Sequence, residues 1–118
     1  MQQSVDQARE LVLRVRRDLD VSQEGLARLL AVSSRTVSRW EAGKSQPDEH
    51  LTDRLHRLQA VVAELRLHLS ARLLVRWLSD RHEELDRNTP VELLVNDFGT
   101  EAVKRLIRKN FQALTVSA

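Results

Sequence analysis

Apolar residues recur at every third or fourth position over most of the chain, which is the spacing of one face of an α-helix. The first such run starts at Val5 and is interrupted by Leu-Asp-Val at residues 19–21. Ser22 and Ser33 each precede another apolar run, so the pattern predicts two short helices with serine N-caps. Gly43 follows the second of these helices and is the expected left-handed residue at its end.

The second half of the chain continues the helical spacing and contains two marked helix starts. A longer helix is predicted from Asp48 onward, and Ser70 caps a further helix that is rich in leucine. Thr-Pro-Val-Glu at residues 89–92 combines a threonine N-cap, a proline at the first helical position and a capping-box glutamate. We expect this helix to end at residues 96–99 and a last helix to begin at Thr100. The whole pattern predicts an all-α fold, a helix-turn-helix bundle followed by a small helical module, with about seven helices and no strand.

Composition narrows the classes of protein that remain. The chain has 118 residues and no cysteine, which excludes disulfides, thiolate nucleophiles and zinc sites built on cysteine. No apolar run approaches the ~18 residues of a membrane span, and residues 1–17 lack a signal-peptide stretch, so we expect a cytoplasmic protein without a membrane partner. The net charge is only +2, and the pI of about 9.7 reflects the absence of Tyr and Cys. Nucleic-acid binding therefore has to be argued from the position of charges on an element.

Catalytic chemistry finds no support in the sequence. The four histidines share no metal-ligand spacing with one another or with carboxylates, and no glycine-rich phosphate loop is present. The serines are explained as helix caps or exposed hydroxyls, and none lies in a glycine-flanked nucleophile elbow. We therefore expect no catalytic residue, no metal, no cofactor and no enzymatic activity.

The two short helices after Ser22 carry a small, polar and basic surface. If Val37 and Trp40 face the core, the opposite side of the second helix presents two serines and two arginines. Arginine can bind guanine edges bidentately in the major groove, and serine can contact bases or phosphates. Ser33 caps the helix end that would enter the groove, and Gln23 can donate to a phosphate.

The segment SQEGLARLLAVSSRTVSRWEAGKSQPD, residues 22–48, resembles the helix-turn-helix of the phage-repressor-like Xre family, and the resemblance extends over about residues 8–66. Proteins of that family bind operator DNA, usually as dimers. The resemblance implies base-reading roles for Ser34, Arg35, Ser38 and Arg39. The full DNA-binding set that we predict is Gln23, Ser33, Ser34, Arg35, Thr36, Ser38, Arg39 and Lys44. Two departures are Ala31, where glycine is common in the turn, and Gly25 inside a helix; a left-handed Ala31 would cost roughly 1 kcal/mol.

The last part of the chain is too small to be stable comfortably without a packing partner. Its order of residues, Trp-Leu, Leu, Thr-Pro-x-x-Leu-Leu, Gly, Val and Leu from residue 77 to 106, is similar to the toxin-binding domain of Xre/MbcA/ParS-type antitoxins of type II toxin–antitoxin systems. The sequence has Asp-Arg-Asn at 86–88 where a glycine-containing turn is common in that family.

This second resemblance implies a cognate toxin as a partner, often one with a RES domain that consumes NAD. The implied toxin contacts come from the last helix and the tail to Ala118, and the predicted residues are Lys104, Arg105, Arg108, Lys109 and Phe111. The alternative is that these lysine and arginine side chains are simply solvated at the C-terminal end of the helix, where positive charge also interacts favourably with the helix dipole. Phe111 is compatible with a core position or an interface.

The sequence thus predicts two domains, a DNA-binding domain over residues 1–68 and a toxin-binding or dimerisation domain over residues 69–118. The predicted function is that of an antitoxin, which neutralises a cognate toxin and represses its own operon. The expected partners are a pseudo-palindromic operator, the toxin, and a second copy of the chain, within a hetero-oligomer. Two alternatives stay open: a stand-alone repressor whose C-terminal half dimerises, and an adaptor whose helix-turn-helix no longer binds DNA, as Ala31 allows.

Overall fold

The computed structural model of the chain describes residues 2–112 and divides into two compact units, Met1–His56 and Arg57–Ala118. The α-helices of the described part are α1 (Gln2–Leu19), α2 (Gln23–Leu30), α3 (Ser34–Glu41), α4 (Glu49–Leu65), α5 (Ala71–Ser79) and α6 (Asp97–Ile107). Over residues 2–112 there is no strand, only an isolated bridge between His82 and Asn88. The predicted all-α fold is confirmed. The boundary between the two units falls within α4 along the chain, whereas the predicted boundary between domains of different function at residue 68 stays a prediction.

Each of the first three helices ends at a residue in the left-handed conformation. These residues are Asp20 (φ 53°), Ala31 (φ 58°) and Gly43 (φ 72°). In each case the next backbone N–H donates to the carbonyl five residues back, as in a Schellman motif: Val21 to Arg16 at 3.2 Å, Val32 to Ala27 at 3.0 Å, and Lys44 to Arg39 at 2.9 Å. The strain expected at Ala31 is therefore present, and the carbonyls at the end of α2 are satisfied in spite of it.

The core of the first unit comes from one face of each helix. Its buried apolar side chains are Leu11, Val12, Val15, Leu19, Leu26, Ala27, Leu29, Leu30, Val37, Trp40 and Leu55. Val37 and Trp40 are three residues apart and lie on the same face of α3. Since their burial fixes the rotation of α3, the polar residues between and beyond them lie on the side exposed to solvent.

The second unit buries leucine and valine from α4, α5 and α6 together with residues of two short 3₁₀ turns, Glu83–Leu85 and Val91–Leu93. Thr89 and Glu92 form the expected capping box, in which the Glu92 N–H donates to Thr89 Oγ1 at 3.2 Å and the Thr89 N–H donates to Glu92 Oε2 at 3.1 Å. The helix predicted there is only one 3₁₀ turn, so the described residues have six α-helices where the sequence predicted about seven.

The expected start of the last helix at Thr100 is wrong. The helix begins at Asp97 and its N-cap is Asn96, whose Oδ1 accepts from the Gly99 N–H at 2.7 Å. Gly99 lies inside the helix and does not end the preceding one. A Cβ atom at Gly99 would collide with the backbone carbonyl of Leu93, so glycine is needed there for a close approach of two chain segments.

Candidate nucleic-acid and protein-binding surfaces

Serine caps set the starts of α2 and α3 as the sequence predicted. Ser22 Oγ accepts from the Gly25 N–H at 3.1 Å, and Ser33 Oγ accepts from the Thr36 N–H at 3.1 Å. The hydroxyl oxygens of Ser33 and Thr36 are 2.8 Å apart and share a further hydrogen bond. The first turn of α3 is therefore fixed by two side chains that both belong to the predicted DNA-binding set.

An arginine of α4 supports the turn between α2 and α3. Arg54 Nη1 donates to the backbone carbonyl of Leu30 at 3.2 Å, next to the left-handed Ala31. Burial lowers the pKa of the Arg54 guanidinium below its ordinary value, because desolvation penalises the charged form. This residue was not among the candidates from the sequence, since nothing local connects position 54 with position 30.

Glu41 joins the first three helices through one carboxylate oxygen. Its Oε1 accepts from Arg16 Nη1 on α1 at 3.2 Å and from Gln23 Nε2 on α2 at 3.0 Å. The Glu41 side chain retains 11% of its exposure and that of Arg16 retains 30%, so the pair is largely screened from water. Gln23, predicted to donate to a phosphate, thus already uses one of its two amide protons within the unit.

The exposed face of α3 consists of the four predicted base-reading residues. Ser34, Arg35, Ser38 and Arg39 are all exposed, as is Lys44 beyond the end of the helix. Among the described residues, no carboxylate pairs with Arg35 or Arg39, whereas Arg9, Arg14 and Arg16 each have an acidic partner. The structure therefore brings together two adjacent unpaired guanidinium groups and two small hydroxyls on one helix face, a combination that suits base edges and phosphates.

The predicted toxin contacts lie on α6 and on the π-helical turn Arg108–Gln112 that follows it. Arg105, Arg108 and Lys109 are exposed and Lys104 is half-buried, and within residues 5–111 none of the four has a carboxylate partner. Beside them runs a shallow groove of about 240 Å³, which is lined by Glu84, Leu85, Ala102, Arg105, Leu106 and Lys109. The predicted contacts in the tail beyond Gln112 lie outside the described residues.

Phe111 belongs to a row of four rings that local sequence patterns did not reveal. Its ring stacks on His68 with the centroids 5.2 Å apart and lies 6.3 Å from the indole of Trp77. Trp77 in turn contacts His82 at 4.8 Å, and His82 Nε2 lies 3.0 Å from the Trp77 carbonyl. Phe111 is half-buried, so its role is in part structural, and both histidines have a ring contact.

Neither a metal site nor a membrane-spanning helix is present among the described residues. No group of His, Asp or Glu side chains within them could hold a metal ion. None of their helices has both the length and the apolar character that crossing a bilayer requires.

The helix-turn-helix family matches residues 12–57, from within α1 to within α4. This range contains both serine caps, the left-handed turn and the exposed face of α3. Residues 12–57 are a helix-turn-helix domain. The resemblance of this segment is thereby confirmed, and the helix-turn-helix domain includes every residue of the predicted DNA-binding set.

Similar proteins extend the likeness beyond the helix-turn-helix domain. A probable mycobacterial cidal antitoxin from Mycobacterium tuberculosis is 35% identical over 77 residues, which is 65% of this chain and 65% of that protein. The chain therefore covers slightly less than two thirds of the relative's length. A chain in the crystal structure of the M. tuberculosis MbcT–MbcA toxin–antitoxin complex has the same fold, with a TM-score of 0.64 and 23% identity over 84% of this chain and 88% of that one.

Proposed function

We propose that this chain is an antitoxin that binds and neutralises a cognate toxin and represses its own operon through the helix-turn-helix domain. The observation that carries the proposal is the combination of the unpaired basic face of α3 with a likeness to toxin–antitoxin proteins. The fold likeness covers 84% of the chain, which is more than the helix-turn-helix domain alone. The role is that of a binding protein without enzymatic activity, and we place it in the cytoplasm.

In the proposed DNA complex, the exposed face of α3 enters the major groove. Arg35 and Arg39 reach base edges, and the hydroxyls of Ser34 and Ser38 contact bases or phosphates. Ser33, Thr36, Gln23 and Lys44 contact the sugar–phosphate backbone, which sets the register of the domain on the duplex. A homodimer would present two such helices to the two half-sites of a pseudo-palindromic operator.

In the proposed toxin complex, the cations of α6 and of the following turn contact the toxin. Arg105, Arg108 and Lys109 are exposed and lack a carboxylate partner among the described residues, so their charge is available to an acidic surface of the toxin. Phe111 contributes the edge of its half-buried ring. A toxin with a RES domain remains a prediction from the resemblance.

The DNA-binding role is tested by operator titrations of matched alanine variants. Arg35→Ala and Arg39→Ala should each weaken operator binding by about 1–3 kcal/mol and relax specificity at one base. Lys44→Ala should weaken binding to all sequences and reduce the salt slope by about 1. Arg14→Ala is the control, because Arg14 is exposed on α1 and pairs with Glu10 at 3.5 Å. If the first three variants bind like the control, the α3 face does not bind DNA and the adaptor alternative is supported.

The toxin-binding role is tested by co-expression with the adjacent gene product. The wild-type chain should co-purify with that product and restore growth of cells that it arrests. Arg108→Glu combined with Lys109→Glu should lose both effects, whereas Arg72→Glu combined with Arg76→Glu on α5 should retain them. Absence of both effects for the wild-type chain would exclude the antitoxin role. It would favour the second candidate, a stand-alone repressor, with which the exposed Val95 and Phe98 of the second unit are also compatible because they suit self-association.

A further inference from the structure

An arginine occupies a core-facing position of α4. Positions 51, 54, 55 and 58 have the spacing of one helix face, and three of them are leucine. Leu55 and Leu58 are buried, and so is Val61, which lies about two turns beyond Arg54 on the same face. Arg54 itself is half-buried, so its guanidinium is partly removed from water. A charged group in such a place costs free energy unless a hydrogen-bonding partner compensates for it.

The partner of Arg54 is a backbone group at the end of α2. Arg54 Nη1 donates to the Leu30 carbonyl at 3.2 Å. The Schellman bond of this turn uses another carbonyl, since the Val32 N–H donates to Ala27 at 3.0 Å. A positive charge is also favourable there, because the C-terminal end of a helix carries a partial negative charge. Arg54 thus connects α4 to the last carbonyl of α2.

The Leu30 carbonyl lies directly before the residue that sets the turn between α2 and α3. Ala31 is left-handed at φ 58°, and only residues 31–33 separate the two helices. Alanine disfavours this conformation, so the turn depends on the contacts around it. Since Ser33 is the N-cap of α3, a change in the backbone at Leu30 would shift α3 and its exposed face.

We propose that Arg54 is a positioning residue for operator recognition. By holding the Leu30 carbonyl, it fixes the orientation of α3 relative to α2, and with it the places at which Arg35 and Arg39 meet base edges. Bidentate contacts to bases require a fixed geometry, whereas attraction to phosphates tolerates small displacements. Arg54 therefore contributes to the choice between the operator and other DNA. This inference rests on the DNA binding of the proposed function and adds to it a residue that acts through the backbone.

The test compares binding of the full chain to two duplexes, one with the promoter region of its own operon and one with the same composition in shuffled order. Arg54→Met keeps an unbranched side chain and removes every N–H donor. It should reduce the preference for the promoter duplex by about 10-fold, which is part of what one bidentate contact supplies. Arg14→Met on α1 is the control, because it removes the same charge from an exposed position and should keep the wild-type preference. Affinity for the shuffled duplex and the salt slope should be equal in the two variants, because neither loses a phosphate contact.

Hydrogen exchange in the absence of DNA examines the turn itself. The Val32 amide, which donates to Ala27, should exchange faster in Arg54→Met, whereas the amides of α1 should keep their wild-type rates. Circular dichroism checks the helix content of each variant. If Arg54→Met does not fold, Arg54→Lys takes its place. It keeps a donor of shorter reach and should lose a smaller part of the preference for the promoter duplex.

An unchanged preference in the Arg54 variant overturns the assignment. So does a salt slope lower than that of the control, which would mean that Arg54 itself contacts phosphates, or an equal weakening on both duplexes, which would indicate a general loss of stability. A wild-type chain without any preference contradicts the DNA-binding part of the proposed function and the role of Arg54 in recognition with it. Faster exchange at Val32 would in that case still show that Arg54 holds the turn, so the two failures are distinguishable.

Discussion

The two units expose different kinds of surface. In the part of the chain that the structure describes, the large apolar side chains exposed to solvent all lie in the second unit: Leu67 at 79%, Leu73 at 51%, Val95 at 54% and Phe98 at 83%. In the first unit the exposed side of α3 is formed by serine and arginine. Covering exposed apolar side chains with another protein lowers the free energy. Serine and arginine side chains instead suit the charge and hydrogen-bonding groups that DNA offers. One chain of small net charge therefore exposes two surfaces of different chemistry.

The two units also differ in how their backbone is held. In the first unit α2 and α3 begin at serine caps, and α1, α2 and α3 are followed by Schellman motifs, so the ends of these helices are fixed by contacts within five residues. The second unit also has local caps, but its packing depends in addition on the close approach of Gly99 to the Leu93 carbonyl and on the long-range stacking of Phe111 on His68. Three comparisons of substitutions in the two units test this difference.

The largest difference is expected between two glycines that both lie inside helices. Gly99→Ala should destabilise the second unit by about 3 kcal/mol or more, because its Cβ would meet a backbone atom of Leu93 that cannot move aside cheaply. Gly25→Ala in α2 should change stability by only about 1 kcal/mol or less. There the Cβ would lie 3.0 Å from the Val21 Cβ, and the higher helix propensity of alanine offsets this tight contact.

Urea denaturation followed by circular dichroism measures both free energies of unfolding. The destabilised Gly99→Ala variant should also lose co-purification with the toxin, whereas Gly25→Ala should change co-purification little. Similar stabilities of the two variants would show that the second unit accommodates the added methyl, and the difference between the units would then be smaller than the structure indicates.

An intermediate effect is expected at Glu41. Glu41→Ala leaves the Arg16 guanidinium and the Gln23 amide without their acceptor, and should cost about 2 kcal/mol because the pair is only partly buried. Glu41→Gln keeps an acceptor oxygen and should cost less. Asp80→Ala in the second unit removes an exposed pair with Arg76 and should cost at most ~0.5 kcal/mol. Thermal melts of the three variants rank these costs. A loss of stability for Asp80→Ala as large as that for Glu41→Ala would contradict the larger stabilising effect expected of the Glu41 hydrogen bonds.

The smallest change in stability is expected when left-handed residues of the two units are replaced by glycine. Ala31 at φ 58° and Arg87 at φ 65° both have conformations that glycine adopts without strain. Ala31→Gly and Arg87→Gly should each stabilise the protein by about 0.5–1 kcal/mol, after the greater entropy of glycine in the unfolded chain is subtracted. Differential scanning calorimetry detects such gains as a rise in Tm, and a fall in both variants would mean that the side chains make compensating contacts.

The sequence was most informative where the constraints are local. The serine caps of α2 and α3, the left-handed Ala31 and Gly43, and the capping box at Thr89 were all predicted. Each depends on a side chain and a backbone group within a few residues, so a single segment contains the whole cause. The exposure of the α3 face followed for the same reason, because the burial of Val37 and Trp40 determines it.

The sequence was misleading or silent where distant segments meet. Gly99 was interpreted as the end of a helix, although it lies within α6 and serves the approach to Leu93. Nothing in the local pattern connects His68 with Phe111, or Arg54 with the Leu30 carbonyl. Such contacts depend on which elements pack together, and apolar spacing predicts the faces of helices without identifying their neighbours.

The hydrogen bond from Gln23 to Glu41 has a consequence for the kinetics of DNA recognition. A glutamine that is free in solution loses rotamer entropy when it contacts a phosphate, and this loss reduces the affinity. In the proposed DNA complex this loss is smaller, because Glu41 already restricts the Gln23 side chain and the second amide proton of Gln23 remains for the phosphate. Glu41→Ala, which removes the acceptor, should therefore shorten the residence time of the chain on its operator through a group that never touches the DNA, with little change in the association rate.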